Sequence, residues 1–130
     1  MDARFLICGH GGFASGMRGA LCLLCGDDAR MQFLDFNEGD SFEELTARIE
    51  ELVIGNRDVS TIVCTDVWGG SPFKAAVLVR MKHPEVRVVT GTNFPLLMEL
   101  LFPSKEFDDA DAMVEHAVAS AREALACVEL

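Results

Sequence analysis

The hydrophobic positions of the chain fall into short continuous runs that alternate with segments of helical spacing. The runs are predicted strands at residues 3–8, 31–36, 61–65 and 86–90. The other segments are predicted helices at residues 14–25, 42–54, 72–81, 95–101 and 109–127. Strands that alternate with helices predict crossover connections and a parallel sheet. The strands are apolar almost throughout, which indicates that helices cover both faces of that sheet.

Local signals mark several ends of these helices. Ser41 and Glu44 have the spacing of a capping box at the start of the second helix. Ser71 is predicted to cap the third helix, with Pro72 in its first position. Gly26 is a natural C-terminal cap for the first helix, and Asn93 precedes the fourth. Together the signals predict a doubly wound α/β fold.

Ligands of doubly wound folds bind beyond the carboxyl ends of the strands, where the strand order reverses. For a sheet of order 2-1-3-4, that point lies between the first and third strands. The sequence places His10 after the first of these strands and Asp66 after the third. The point at which the strand order reverses and the residues that follow each strand therefore both predict one crevice that contains these two side chains.

The residue types around this crevice suit a transient phosphohistidine. An imidazole is a nucleophile near neutral pH, and Asp66 can bind one ring nitrogen of His10 and leave the other free. The other residues next to the predicted crevice are glycines and a serine, which leave room for a ligand or offer a hydroxyl. The free amides at the start of a helix bind anions. We therefore predict that phosphate is bound by Ser71, Gly11 and Gly70.

Apolar residues next to this crevice are candidates for a docking surface for partner proteins. The candidates are Phe13, Met17, Trp68 and Phe73. An alternative that is equally consistent with the sequence places Phe13, Met17 and Phe73 on the core side of their helices.

Length and charge narrow the functional classes. The chain of 130 residues predicts one domain, residues 1–130, and its formal net charge of −10 argues against nucleic acid and anionic membranes as partners. No run approaches the about 20 apolar residues that cross a bilayer, and no secretory signal is visible. Five cysteines, an odd number, favour a reducing cytoplasm. The Cys22-x-x-Cys25 pair lacks a second ligand pair, so no metal site is predicted.

A dinucleotide-binding domain is the main rival from the residues alone. Residues 9–14 fit the pattern G-x-G-x-x-A between a strand and a helix, and Asp35 lies near the end of the second strand. This hypothesis leaves His10, Asp66 and Ser71 without a role.

Three strings carry a resemblance to a known family. They are GHGGFASGM at residues 9–17, DVWGGSPF at residues 66–73 and TGTNFPLLMELL at residues 90–101. In this order and spacing they resemble the mannose/fructose/sorbose-type enzyme IIA component of the phosphoenolpyruvate-dependent sugar phosphotransferase system. The mannose and N-acetylgalactosamine branches are the most similar.

The resemblance implies a cytoplasmic phosphocarrier without a cofactor. His10 would accept a phosphoryl group from the phosphocarrier HPr and pass it to a sugar-specific IIB component, which serves the membrane components IIC and IID. Asp66 would orient His10, and Ser71 would contact the phosphate. The resemblance also implies a homodimer in which an antiparallel strand from around residues 126–130 joins the sheet of the partner.

The sequence leaves the sugar and the cellular role open. Gly9, Gly12 and Phe13 depart from the mannose branch, so the sugar is not identified. A regulatory domain, or a phosphotransfer subunit of the dihydroxyacetone kinase type, would use the same fold and chemistry.

Overall fold

The computed structural model describes residues 2–130, which form two compact units, residues 2–91 and residues 92–130. The first unit contains four strands and three helices: β1 (Ala3–His10), α1 (Phe13–Cys25), β2 (Met31–Phe36), α2 (Phe42–Gly55), β3 (Ser60–Thr65), α3 (Ser71–Lys82) and β4 (Arg87–Val89). The second contains α4 (Phe94–Leu101) and α5 (Ala110–Ala124). The prediction of one domain stays a prediction, and each unit is described by itself.

The four strands form a parallel sheet in the order β2-β1-β3-β4, which confirms the predicted order. β1 is longer than predicted because it stays paired with β2 up to His10, which lies opposite Phe36. On its other side, Cys8 lies opposite Thr65. His10 is therefore the last residue of a strand, and the glycine turn begins after it.

Helices cover both faces of this sheet. On one face, β1 side chains such as Leu6 pack in a core cluster with buried residues of α2 and α3, including Ile49 and Val79. Successive strand residues point to opposite faces, so Gly9 faces the other side, where the Phe13 side chain of α1 lies against it. Burial of each large apolar side chain in this core contributes about 1.5–3 kcal/mol.

Two helix starts differ in their capping. Ser41 caps α2 as predicted, since its side chain accepts a hydrogen bond from the Glu44 amide. The prediction that Ser71 caps α3 is wrong. Gly70 is the cap residue, with an extended backbone, and Ser71 is the first helical residue. The Ser71 side chain thus begins the helix and is not used to cap it.

The second unit contains two helices and an irregular tail. Asn93 caps α4 by accepting from the Leu96 amide, and its side-chain amide donates to the Ala121 carbonyl of α5. α5 ends at Ala124, so the predicted end at residue 127 is wrong. Leu125 is 84% exposed, and a helix that buries no further residue gains little from continuing. Residues 125–130 form neither helix nor strand, and the strand exchange with a partner stays a prediction.

No helix in residues 2–130 combines the length and the apolar character that crossing a membrane requires.

Candidate functional site

His10 and Asp66 meet at the carboxyl edge of the sheet because β1 and β3 are neighbours. The Asp66 Oδ2 atom lies 2.8 Å from Nδ1 of His10 and accepts a second hydrogen bond, 2.9 Å long, from the His10 backbone amide. The other Asp66 oxygen accepts from the amide of Val67. The His10 side chain keeps 48% of its surface exposed, whereas that of Asp66 keeps 13%. The structure thus brings together the two residues that the sequence placed where the strand order reverses, between the first and third strands.

The tautomer of His10 follows from this contact. A carboxylate only accepts hydrogen bonds, so the shared proton sits on Nδ1 and Nε2 carries the lone pair. Partial burial by itself raises the pKa of Asp66. The amide and ring of His10 and the Val67 amide outweigh it, so that the pKa lies below its usual range. Asp66 is therefore ionised near neutral pH, and its contact with Nδ1 leaves Nε2 as the ring nitrogen with a free lone pair.

The lowered pKa of Asp66 gives stability a defined pH dependence. A carboxyl group with a lower pKa in the folded state stabilises the fold above its unfolded-state pKa, and this contribution is lost as pH falls through the folded-state value. We expect the melting temperature of the wild type to exceed that of Asp66→Asn most near neutral pH. The difference should shrink as pH falls below about 4, the usual pKa of an aspartate in an unfolded chain. Thermal melts followed by circular dichroism across this range test it, and a difference that stays constant down to the lowest pH contradicts it.

Gly70 lies directly against the His10 ring. A β-carbon at position 70 would be 2.6 Å from Cε1 and 3.3 Å from Nε2 of His10. On another side, the Phe36 ring presents a T-shaped contact to the imidazole, with 6.4 Å between ring centroids. The imidazole is therefore confined by backbone and by an aromatic ring as well as by Asp66. Only glycine at position 70 leaves room for this ring position.

We expect Gly70→Ala to displace the His10 ring while the fold is retained. Gly70 has φ −72° and ψ 172°, a conformation that alanine adopts without strain, so the cost falls on the ring contact. The rate of His10 phosphorylation should fall about 10- to 100-fold, with a small change in melting temperature. Gly12→Ala is the matched control, because its nearest neighbour would be Ser15 Oγ at 3.6 Å. An unchanged rate in Gly70→Ala, or an equal loss in both variants, would show that the ring position is not what matters.

The turn after His10 is closed by hydrogen bonds to β2. Gly11 has φ +53°, a region that favours glycine, and its amide donates to the Phe36 carbonyl over 2.7 Å. This amide already has its partner within the turn. The Gly11 amide is therefore engaged in forming the turn, and the prediction that Gly11 binds phosphate stays a prediction.

Asp35 is a site residue that the sequence pointed to only through the dinucleotide hypothesis. Its Oδ1 atom accepts a 3.0 Å hydrogen bond from the amide of Ser15, in the first turn of α1. In a dinucleotide site that helix end would bind diphosphate and the acidic side chain would bind ribose. Here the carboxylate occupies the helix end itself, so the contacts disfavour that hypothesis. The signal in the sequence was the position of this aspartate near the end of β2, the strand that lies beside β1.

Ser71 begins α3 directly after Gly70, which touches His10. Within residues 2–130, the Ser71 hydroxyl has no hydrogen-bond partner. The first turn of α3 contains no acidic residue, so its amide end keeps its partial positive charge. An unengaged hydroxyl and a positive helix end thus directly follow the glycine that lies against the histidine ring.

The predicted docking residues differ in exposure. Trp68 is 77% exposed and its ring lies against Phe73, with 4.8 Å between centroids. Val67, which no pattern in the sequence indicated as a docking residue, is 51% exposed. Phe13 and Met17 are partly buried, and the Phe13 side chain packs against Gly9. The packing of Phe13 favours the core-side alternative for that residue, while Trp68 stays a candidate for docking.

A family model described as "PTS system fructose IIA component", EIIA-man, matches residues 4–118. This range contains most of the chain and the whole His10 crevice. The chain belongs to the EIIA-man family. The resemblance of the three strings is thereby confirmed, and with it a role in the sugar phosphotransferase system.

Individual relatives of the EIIA-man family agree with this assignment. The sorbose-specific EIIA component of Klebsiella pneumoniae is 29% identical over 116 residues, 89% of this chain and 84% of that protein. The mannose-specific EIIAB component of Escherichia coli K12 is 28% identical over 124 residues, 95% of this chain but 38% of that longer protein.

A solved structure, the phosphotransferase system component EIIA from Streptococcus agalactiae, superposes with a TM-score of 0.89. It is 24% identical and the match covers 97% of each chain, so it supports the EIIA-man fold alone.

Proposed function

We propose that this EIIA-man protein is a phosphocarrier whose His10 accepts a phosphoryl group from HPr and passes it to a IIB component during sugar uptake. The single observation that carries the proposal is the 2.8 Å contact between Nδ1 of His10 and Asp66. It assigns the proton to one ring nitrogen and leaves the lone pair on Nε2, on a half-exposed side chain that another protein can reach.

The proposed transfer is an in-line displacement between two histidines. The Nε2 lone pair of His10 forms a bond to phosphorus, while the bond between phosphorus and the donor imidazole breaks and its electron pair returns to that ring. The proton on Nδ1 of His10 stays in place, so the phosphorylated ring carries a positive charge. Asp66, ionised at neutral pH, stabilises this charge.

The second half-reaction reverses these roles. Nε2 of phosphorylated His10 becomes the leaving group when a nucleophile of IIB attacks the phosphorus, and His10 regains its lone pair. The catalytic requirement is positioning and charge stabilisation, which phosphoryl transfer depends on most. In this proposal the Ser71 hydroxyl and the amide end of α3 contact the phosphoryl oxygens. No metal and no nucleotide takes part.

The partner surface is proposed to surround the crevice. Trp68, stacked on Phe73, and the half-exposed Val67 supply apolar area beside His10. The net charge of −10 favours partners with basic side chains. IIC and IID would be reached indirectly through IIB, the protein would act in the cytoplasm, and a homodimer is the proposed assembly.

Reconstituted phosphorylation tests the proposal. The protein is incubated with phosphoenolpyruvate, enzyme I and HPr, and intact mass is measured before and after mild acid. We expect one acid-labile phosphate, which fragment mass spectra locate on His10. The phosphorylated protein should then lose its phosphate when a IIB component is added. Failure to gain phosphate from phosphorylated HPr would refute the carrier role, and a gain without transfer to any IIB would favour a regulatory role.

A further inference from the structure

Two aspartates accept hydrogen bonds from backbone amides on either side of the turn after His10. Asp66, directly after β3, accepts a hydrogen bond from the His10 amide. Asp35, on β2, accepts one from the amide of Ser15, which lies 20 positions away in the sequence. β2 and β3 flank β1 on its two sides. The residues between these two amides form the phosphoacceptor turn and the start of α1.

The carboxylates of Asp66 and Asp35 differ in the groups that they contact. Asp66 contacts the reacting ring, whereas in residues 2–130 no hydrogen bond joins Asp35 to that ring. Asp35 instead lies at the amide end of α1, and its neighbour Phe36 holds the Gly11 amide. A helix N-terminus attracts a phosphoryl group through its free amides and its partial positive charge. With a carboxylate bound there, the α1 end loses one donor and gains a negative charge.

The start of α3 has the opposite character. It has no acidic residue in its first turn, and the Ser71 hydroxyl is without a partner in the part of the chain that the structure describes. The helix that begins after the His10 turn thus has a carboxylate at its amide end, whereas the helix that begins after Gly70 has none. This asymmetry is a property of the tertiary structure, since neither helix carries an acidic residue in its own first turn.

We propose that Asp35 is a positioning residue that holds the phosphoacceptor turn through the Ser15 amide and directs the phosphoryl group of His10 toward the α3 end of the crevice. The inference rests on the proposed function and adds a residue to it. A carrier must release its phosphoryl group as well as accept it. By keeping the α1 end from binding the group, Asp35 keeps the phosphorylated form from becoming too stable.

The charged neighbours of Asp35 define the control. Asp35 lines a small groove of about 80 Å³ together with side chains from the loop before α2 and from α2 itself, namely Asp40, Glu44 and Arg48. Glu44→Gln removes one negative charge from this groove and leaves the Ser15 amide bonded to Asp35. Asp35→Asn removes the charge but keeps an acceptor oxygen for Ser15, and Asp35→Ala removes both.

The experiment follows backbone amides by nuclear magnetic resonance before and after phosphorylation. Phosphoramidate, a small chemical donor, is used so that no partner protein is required. In the wild type, phosphorylation should shift the amides at the start of α3, around Ser71, much more than that of Ser15. In Asp35→Ala, which leaves the Ser15 amide without its acceptor, that amide should shift as well, whereas Asp35→Asn keeps the acceptor and should change only the equilibrium described below. Glu44→Gln should give the wild-type pattern.

The equilibrium with phosphorylated HPr provides a second measurement. Both Asp35 variants should favour the phosphorylated protein by about two- to fivefold, the effect of one charge at a helix end. A purely structural role predicts instead that Asp35→Ala loses melting temperature while the equilibrium stays the same. A large Ser15 shift in the wild type, an unchanged Ser15 shift in Asp35→Ala, or an unchanged equilibrium in Asp35→Asn would overturn the inference.

The two proposals fail in different ways. If wild-type protein gains no phosphate on His10 from either donor, the proposed function is wrong. If the wild type is phosphorylated and Asp35→Asn behaves identically, only the role of Asp35 is wrong.

Discussion

Replacing His10 with alanine is expected to abolish phosphorylation of this protein by phosphorylated HPr. The imidazole supplies the attacking lone pair, and no other group in the crevice is a comparable nucleophile near neutral pH. We expect the rate to fall by at least about 10⁴-fold, into the background. Intact mass after incubation with phosphoenolpyruvate, enzyme I and HPr measures the loss. A His10→Ala protein that still gains an acid-labile phosphate would show that another residue is the acceptor.

The chain offers two matched controls, because it contains three histidines in all. Nε2 of His83 lies 3.1 Å from Glu50, and Nε2 of His116 lies 3.1 Å from Glu99. Neither ring has the arrangement of His10, in which a carboxylate holds Nδ1 and Nε2 is left free. His83→Ala and His116→Ala should therefore accept phosphate at the wild-type rate. Melting temperatures establish that each variant is folded, and the half-exposed position of His10 predicts a small change for His10→Ala.

Replacing Asp66 with asparagine is expected to lower the phosphorylation rate by at least about 100-fold. The asparagine side chain fits the same space but is neutral, and its amide group can donate a hydrogen bond to the ring. The proton is then no longer held on Nδ1, and the positive charge of the phosphorylated ring is no longer balanced. The rate is measured from the phosphate gained in samples quenched at successive times, with the same donor mixture.

Asp40→Asn is the matched control for Asp66→Asn. Asp40 also accepts a backbone amide, that of Asn37, but it belongs to the loop before α2 and not to the His10 ring contact. The control should keep the wild-type rate. If Asp66→Asn phosphorylates as fast as Asp40→Asn, the orienting carboxylate is not required and the proposed mechanism fails.

Much of the fold follows from local signals. The alternation of apolar runs and helical segments predicts parallel strands joined by helices, and the 2-1-3-4 order is confirmed. Ser41 caps α2 as its spacing predicts, because a capping side chain interacts with amides only three residues away. Local signals were less successful at Ser71 and at the end of α5. Both helix boundaries depend on tertiary surroundings: Gly70, before α3, lies against the His10 ring, and Leu125, after α5, is exposed to solvent.

The site divides in the same way. His10 and Asp66 are predictable because strand ends in a parallel sheet share one edge, and the sequence states which residues follow each strand. The contact of Gly70 with the His10 ring is not predictable in this way, because it depends on a separation of a few ångströms between two loops. Trp68 and Phe13 were selected together, yet one is exposed and the other packs against Gly9.

The sequence by itself determined the class of the fold, the edge of the sheet that contains the chemistry and, through its three strings, the family. These are encoded in periodicity and in residue types at fixed spacing, which need no knowledge of distance. Only the tertiary structure decided which nitrogen of His10 is free, that Gly11 has its amide engaged, and that Asp35 occupies the start of α1. Each of these depends on a hydrogen bond between segments remote in sequence, and such a bond forms only once the sheet has set the register of its strands.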